Sequence, residues 1–346
     1  MPLRRQIRYA GAMMTRTAPR LLLTALLSLT VTPAPAEEGK PIRIGMVGLD
    51  TSHAKAFTDL INDPESAVHV PGVAVVAAVK QSSADIPSSV ERVEGYTEHL
   101  VKNRGVKLYD TIEAMCQNVD AVMIESVDGR PHLAQATPAL LAGKPTYIDK
   151  PISASLKDTL AIFALAKKHH TQVWSSSNLR FHAGVIAARD DKTIGEQTLV
   201  FSFGPSPTEE HHPDLAWYGI HPVETLFTVL GNGCDSVTRI STDKGDLASG
   251  TWSGGRIGMV HGIRGGKVVY GVKVFGTKGV AEYPAGGAYP EIVTEIIKFF
   301  QTGVAPVPPE TTTEIMAFME AADESKRLGG APVSIQEWIK KNTPAE

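Results

Sequence analysis

One lysine stands where an acid–base group would be useful. Lys150 follows Asp149 at the end of the apolar run Thr146–Ile148, and Pro151 comes next. In an open α/β sheet, ligands bind at the carboxyl ends of the strands. A lysine at that edge can give or accept a proton if burial lowers its pKa. A surface ion pair before a loop is an equally good interpretation, and both stay open at this point.

A histidine occupies a similar position in the second half of the chain. His221 lies just before Pro222, and proline is well tolerated in the first turn of a helix. Glu224 is three positions further on, so the imidazole and the carboxylate can share one face of that turn. We predict an acid–base role for His221, with helix capping as the alternative. The neighbouring pair His211 and His212 is typical of a solvated loop, and we predict no metal site.

The turn after the first apolar run resembles a phosphate-binding loop but departs from it. The run Ile42–Val47 leads into Gly48 and then into a predicted helix, in the order of a dinucleotide fingerprint. Asp50 and His53 occupy the second and third glycine positions. A carboxylate repels phosphate, and a side chain at the second position blocks close backbone approach. The predicted cofactor contacts in this turn are Gly48, Leu49, Asp50, Thr51, Ser52 and His53.

Other polar residues gather at the same predicted edge. Asp128 and His132 follow the run Ala121–Glu125, and with Asp50, His53 and Asp149 they form a rim of acids and imidazoles. Such a rim repels a dinucleotide, whereas it suits sugar hydroxyls or a divalent cation. Where a dinucleotide binds, we predict that Asp128, His132 and Asp149 contact it.

The second apolar run, Val73–Val79, ends in Lys80 rather than in an acid that could hold a ribose 2′-hydroxyl. Lys80 could instead contact a 2′-phosphate, which would favour NADP over NAD.

Alternating elements must position these residues. Strand-like runs are predicted at Ile42–Val47, Val73–Val79, Ala121–Glu125, Thr146–Ile148 and Gln172–Ser175, with a helical pattern after each of the first four. This alternation indicates a doubly wound parallel sheet. After Ser177 the strands follow one another, with glycine turns such as Arg264-Gly265-Gly266, which indicates a second, α+β domain with a large open, mostly antiparallel sheet.

The first 36 residues are typical of a secretory signal. Five arginines precede the apolar run Leu21–Leu29, and Ala34-Pro35-Ala36 offers a cleavage site. We therefore predict a signal peptide at 1–36, a Rossmann-like nucleotide-binding domain at 37–176 and a substrate and oligomerisation domain at 177–346. The expected location is periplasmic or extracellular, and the exported chain has no basic patch suited to nucleic acid or an anionic membrane.

Taken in order, the motifs resemble the Gfo/Idh/MocA family of oxidoreductases over nearly the whole exported chain. The family's Glu-Lys-Pro motif is similar to Asp149-Lys150-Pro151, and its asparagine-and-histidine loop to Asp128–His132. Its Arg-Phe pair matches Arg180-Phe181, and the start of its second-domain helix matches Gly219–Glu224. The resemblance implies a two-domain fold that uses NAD or NADP.

The resemblance also implies roles for individual residues. Lys150 and His221 would manage a hydroxyl proton while a nicotinamide accepts hydride from a sugar or cyclic polyol. Arg180 and Glu224 would contact substrate hydroxyls. Trp217 replaces an aspartate often found there in the family, and with Tyr218 it could stack on a sugar ring or simply belong to the core.

Two functions remain open on the sequence alone. The first, to which we commit, is an NAD(P)-dependent oxidoreductase acting on a carbohydrate or cyclic polyol. The alternative is a redox-silent relative, without dinucleotide, that binds or cleaves a sugar with or without the help of a metal ion. The open second sheet, between Ser236 and Phe275, would expose an apolar face, so we expect a homodimer or homotetramer.

Overall fold

The described chain, residues 41–343 of a computed structural model, begins with a six-stranded parallel sheet. Its strands are β1 (Ile42–Val47), β2 (Val73–Val79), β3 (Lys107–Leu108), β4 (Ala121–Ile124), β5 (Thr146–Asp149) and β6 (Val173–Ser176). Their spatial order is β3-β2-β1-β4-β5-β6. The strand order reverses between β1 and β4, since β2 and β3 are added on one side of β1 and β4 to β6 on the other. Open sheets of this kind bind ligands at that point.

Helices cover both faces of this sheet. They are α1 (Ser52–Asn62), α2 (Pro87–Arg104), α3 (Ile112–Cys116), α4 (His132–Leu141) and α5 (Leu156–Lys168). The hydroxyl of Thr51 caps α1 by accepting the amide N–H of Ala54, and Ser155 caps α5 through Asp158. Because both faces are covered, β1, β4 and β5 are almost wholly buried and apolar. The predicted doubly wound fold is confirmed.

The second half forms a seven-stranded mixed sheet. Its strands are β7 (Gln197–Pro205), β8 (Cys234–Thr242), β9 (Gly245–Trp252), β10 (Arg256–Ile263), β11 (Tyr270–Gly276), β12 (Val280–Ala285) and β13 (Val333–Ser334). The spatial order is β12-β11-β7-β10-β9-β8-β13.

The connection through Arg264-Gly265-Gly266 differs from the prediction. It was expected to join two paired strands, but β7 lies between β10 and β11 and is parallel to β10. The other neighbouring strands of this sheet are antiparallel, as predicted.

Six helices belong to the second half of the chain. They are α6 (Ala183–Asp190), α7 (Asp214–Trp217), α8 (Ile220–Leu230), α9 (Tyr289–Thr302), α10 (Pro309–Arg327) and α11 (Ile335–Asn342). All residues of α8 are buried, because it lies between the second sheet and its neighbours α6 and α10. Within residues 41–343, no helix combines the length and apolar character needed to cross a bilayer.

Helix α9 belongs to the second half of the sequence but packs against the first sheet. The apolar residues of α9, including Ile292, Ile296 and Phe299, join the core of the first sheet beside Phe57 and Trp174. The described residues 41–343 accordingly belong to one compact unit. The division at residue 176 remains a prediction, and the predicted signal peptide lies outside the described residues. Cys116 and Cys234 are buried free thiols.

Candidate active site

A cavity of about 250 Å³ lies at the amino end of α1, between the two sheets. The first half of the chain contributes the turn into α1, Val127 and Lys150, and the second half contributes Tyr218 and His221. The complete lining is Thr51, Ser52, His53, Arg92, Val127, Lys150, Asn178, Leu179, Tyr218, His221, Tyr270, Gly287 and Tyr289. The structure therefore brings Lys150 and His221 to one space, although they are far apart in the sequence.

Lys150 reaches this cavity from the end of β5. Its side chain is buried, and it forms no ion pair with any carboxylate of residues 41–343. The ammonium nitrogen lies 5.3 Å from the centre of the Tyr218 ring, a distance that permits a cation–π contact. The carboxylates of Asp149 and Glu125 lie near enough to feel its charge, but neither pairs with the ammonium directly. The ammonium is therefore available to contact a polar or anionic ligand.

His221 lies in the first turn of α8. Its Nδ1 atom is 2.7 Å from the hydroxyl oxygen of Ser177. Burial and the nearby Lys150 ammonium lower the pKa of His221 well below its usual value. The imidazole is therefore neutral at physiological pH and can accept a proton.

Arg180 and Glu224 do not line the cavity, contrary to the substrate contacts expected of them. The Glu224 carboxylate accepts hydrogen bonds from the Ser176 hydroxyl, the Ser177 amide and the Arg180 guanidinium, at 2.6, 2.6 and 2.7 Å. Because its oxygens are already used, Glu224 ties the end of β6 to α8. It thereby holds Ser177, and with it His221, in place.

The hydrogen-bonded pair His53 and Asp149 lies beside the acid Glu125 at the cavity, and His53 is part of the cavity lining. The Nδ1 atom of His53 donates a hydrogen bond of 2.8 Å to Asp149. Burial alone would raise the pKa of Asp149, but His53 and Lys150 hold it below its ordinary value. Glu125, just after β4, is fully buried, and burial together with Asp149 raises its pKa well above the usual value.

The Asp50 side chain is turned into the protein, where it has hydrogen-bond partners, which removes the basis for the predicted repulsion of phosphate. Its carboxylate is fully buried and accepts hydrogen bonds from the Val127 amide at 3.0 Å and the Ser89 hydroxyl at 2.6 Å. Gly48 has φ of +80°, and a Cβ atom there would lie 2.1 Å from the Ser126 hydroxyl oxygen. The turn after β1 is thus packed directly on the turn after β4.

A second cavity, of about 730 Å³, lies beside the carboxyl end of β2. It includes Lys80 and Asp128, two of the predicted cofactor contacts, and shares no lining residue with the first cavity. Lys80 pairs with Glu94, and Asp128 accepts hydrogen bonds from Ser83 and Arg130. Val127 lines the first cavity, whereas its neighbours Ser126 and Asp128 line the second.

Three other candidates are internal. His132 is fully buried, and its Nε2 and Nδ1 atoms lie 3.0 and 2.9 Å from the backbone carbonyl oxygens of Ser126 and Pro151. Leu49 is a fully buried residue of the hydrophobic core. Trp217 packs against Ile86 and Val127, so the core interpretation of this residue holds and the predicted stacking on a sugar is wrong for it. Tyr218 alone of the aromatic pair lines the cavity.

Sequence reasoning missed several cavity residues. Arg92 on α2 lines the cavity without an ion-pair partner in the described chain, and Asn178 has a buried side-chain oxygen with no hydrogen bond there. Tyr270 and Tyr289 complete the wall. None of these residues belongs to a recognisable motif, since each reaches the cavity only through long-range packing.

These features define a class of protein: a Rossmann-like sheet whose ligand edge is completed by a second, mixed-sheet domain. Residues 42–177 match the family model GFO_IDH_MocA, described as an oxidoreductase family with an NAD-binding Rossmann fold. Over this segment the chain is similar to the Gfo/Idh/MocA oxidoreductases. A search of curated proteins with this chain finds no match.

Solved structures share the fold over most of the chain. One is myo-inositol 2-dehydrogenase from Lactobacillus plantarum, at 17% identity, 86% coverage of this chain and 100% of that chain, and a TM-score of 0.71. Another is scyllo-inositol dehydrogenase from Lactobacillus casei with bound NAD(H) and scyllo-inositol, with the same identity, coverages and TM-score. These similarities establish the common architecture of both halves.

Proposed function

We propose that the protein is an NAD(P)-dependent oxidoreductase that acts on a hydroxyl-bearing carbon of a cyclic polyol or sugar. The observation that carries this proposal is the placement of Lys150 and His221 on one cavity at the amino end of α1. The match of residues 42–177 to an NAD-binding oxidoreductase family favours redox chemistry over the redox-silent alternative. The inositol dehydrogenases that share the fold support the polyol as substrate class.

The residues of the turn fit a dinucleotide better than the sequence suggested. The amino end of α1 favours negative charge, and Arg92 adds a cation on the same cavity. Asp50 is held by Ser89 and Val127, so its carboxylate does not face a phosphate at the helix end. The second cavity, with Lys80, would hold the adenosine half. NAD(P), when bound, would supply a nicotinamide that accepts hydride.

Lys150 and His221 would manage the proton of the substrate hydroxyl. The neutral imidazole of His221 can accept it, and contact with the Ser177 hydroxyl fixes the ring orientation. The Lys150 ammonium would stabilise negative charge that develops on the substrate oxygen. Tyr218 and the other tyrosines of the cavity offer hydroxyl groups and ring faces suited to a polyol.

Cofactor binding is the direct test. Denaturation of the purified protein should release nicotinamide dinucleotide, or titration of NAD and NADP should quench tryptophan fluorescence, because Trp217 contacts Tyr218 at the cavity. The exposed-lysine variant Lys267→Met should bind like the parent. If neither released dinucleotide nor quenching is found at millimolar NAD or NADP, the proposal fails.

We also propose export and self-association. Export rests on the arginine-rich and apolar pattern of residues 1–36. Self-association rests on the outer face of the second sheet, where Leu199, Phe201, Ile257, Met259 and Phe275 lie on adjacent strands in register. These side chains are partly exposed, and a second copy of the chain would cover them.

A further inference from the structure

We infer that His53, Glu125 and Asp149 form a binding site for a divalent transition cation of the Mn²⁺, Fe²⁺ or Zn²⁺ class, in the wall of the central cavity. One ring nitrogen of His53 and one carboxylate oxygen from each acid lie within 4.8 Å of one another. Metal–ligand distances of about 2.0 to 2.2 Å place two ligand atoms on opposite sides of such an ion about 4.0 to 4.4 Å apart. Binding would therefore draw the side chains together by about 0.8 Å at most. One imidazole and two carboxylates are ligands that these ions accept.

A second observation, independent of these distances, is that the buried carboxylate of Glu125 lacks hydrogen-bond partners within residues 41–343. Its side chain has no solvent exposure, and neither carboxylate oxygen has a hydrogen-bond partner in the part of the chain that the structure describes. A buried polar group without a partner is costly, and a native fold rarely leaves two such oxygens on one side chain. The unpartnered group lies against the His53–Asp149 pair, so a cation bound by all three would satisfy it.

The backbone supports the three side chains from separate elements. Glu125 follows β4, Asp149 ends β5, and His53 lies in the first turn of α1. The phenol of Tyr147, 3.3 Å from an Asp149 oxygen, supplies an outer contact that orients the carboxylate.

The ion would lie close to the cavity that serves the proposed function. His53 lines that cavity, and Lys150 adjoins Asp149 in sequence. The metal site rests on the three side chains alone and does not depend on dinucleotide binding. Either proposal can therefore fail without the other.

The test is a titration of tag-free, chelator-treated protein with Mn²⁺ and then Zn²⁺. We expect one ion per chain and a Tm rise of about 5 °C at a metal concentration about 100 times the Kd. Glu125→Gln keeps the side-chain shape, and it should lose at least about 100-fold in Mn²⁺ affinity because it removes a direct ligand rather than an outer contact. The exposed-residue controls Glu65→Gln and His211→Gln should bind like the parent.

Two results would overturn the proposal. One is unchanged Tm with no bound ion at millimolar Mn²⁺ and Zn²⁺, which would mean that Glu125 is simply a buried protonated acid. The other is parental affinity in Glu125→Gln. If that variant does not fold, anomalous diffraction from Mn²⁺-soaked crystals of the parent decides the question. A peak between the three side chains supports the site, and its absence refutes it.

Discussion

The direction of one carboxylate decides how the turn after β1 is interpreted. Asp50 occupies a glycine position of the dinucleotide fingerprint, which suggested repulsion of phosphate. Its partners Ser89 and Val127 lie 39 and 77 residues further along the chain, so local sequence could not show that the side chain turns inward. Lys150 and His221 were predictable because motifs mark them, whereas Arg92 and Glu125 were not.

Asp50→Gly, which restores the fingerprint, should destabilise the protein without improving cofactor binding. It leaves the buried Val127 amide without its acceptor, so the free energy of unfolding should fall by about 1 to 3 kcal/mol. Urea denaturation and NAD(P) titration measure the two effects. Asp50→Asn keeps one acceptor oxygen, so its free energy of unfolding should fall by less. Tighter NAD(P) binding with unchanged stability in Asp50→Gly would show that the carboxylate does obstruct the cofactor.

At the scale of elements, the sequence predicted locally determined features best. The bounds of β1 and β2 agree with the prediction, because their apolar runs and the flanking turn residues define them. The insertion of β7 between β10 and β11 was missed, because pairing across some 70 residues leaves no local signal. The short elements β3, β13 and α7 were missed because two to four residues are too few to show a repeating pattern of apolar and polar residues.

The loop before α7 contains a histidine whose burial predicts a pH effect on stability. Burial lowers the pKa of His212 from 6.5 to about 4, and its Nε2 atom accepts a hydrogen bond from the Gly129 amide. The unfolded chain binds a proton here between pH 6.5 and 4 while the folded chain does not. The contribution of His212 to the free energy of unfolding is therefore fully present above pH 6.5 and is lost as the pH falls toward 4.

His212→Gln keeps an acceptor for Gly129 but cannot titrate. The stability advantage of the parent over this variant should shrink by about 3 kcal/mol between pH 6.5 and 4, at about 1.4 kcal/mol per unit of pKa. Denaturant unfolding at several pH values measures it, with the exposed His211→Gln as control. A difference independent of pH would mean that His212 is not buried as a neutral ring.

At the scale of the whole molecule, neither half completes the cavity by itself. Lys150 extends from the first sheet and His221 from a helix on the second, while α9 packs from the second half onto the first sheet. Family resemblance predicted this two-part architecture. It could not predict Tyr270 and Tyr289, which reach the cavity from β11 and α9.

The outer face of the second sheet should mediate self-association. Met259→Glu places a charge within the apolar rows of that face and should shift the protein from a dimer or tetramer to a monomer, because a buried unpaired charge is costly. Sedimentation at micromolar concentration measures the change. Leu141→Glu, at an exposed apolar position on α4, is the matched control. A monomeric parent would contradict the proposal.

Turnover is the most direct test of the proposed chemistry. The protein is mixed with NAD or NADP and a panel of inositols and hexoses, and the absorbance of reduced nicotinamide is followed. The parent should reduce the cofactor, and Lys150→Met should lower kcat by about 10² to 10⁴-fold while its Tm stays unchanged. Bound cofactor that no polyol or sugar reduces, or a Lys150→Met variant as fast as the parent, would contradict the account.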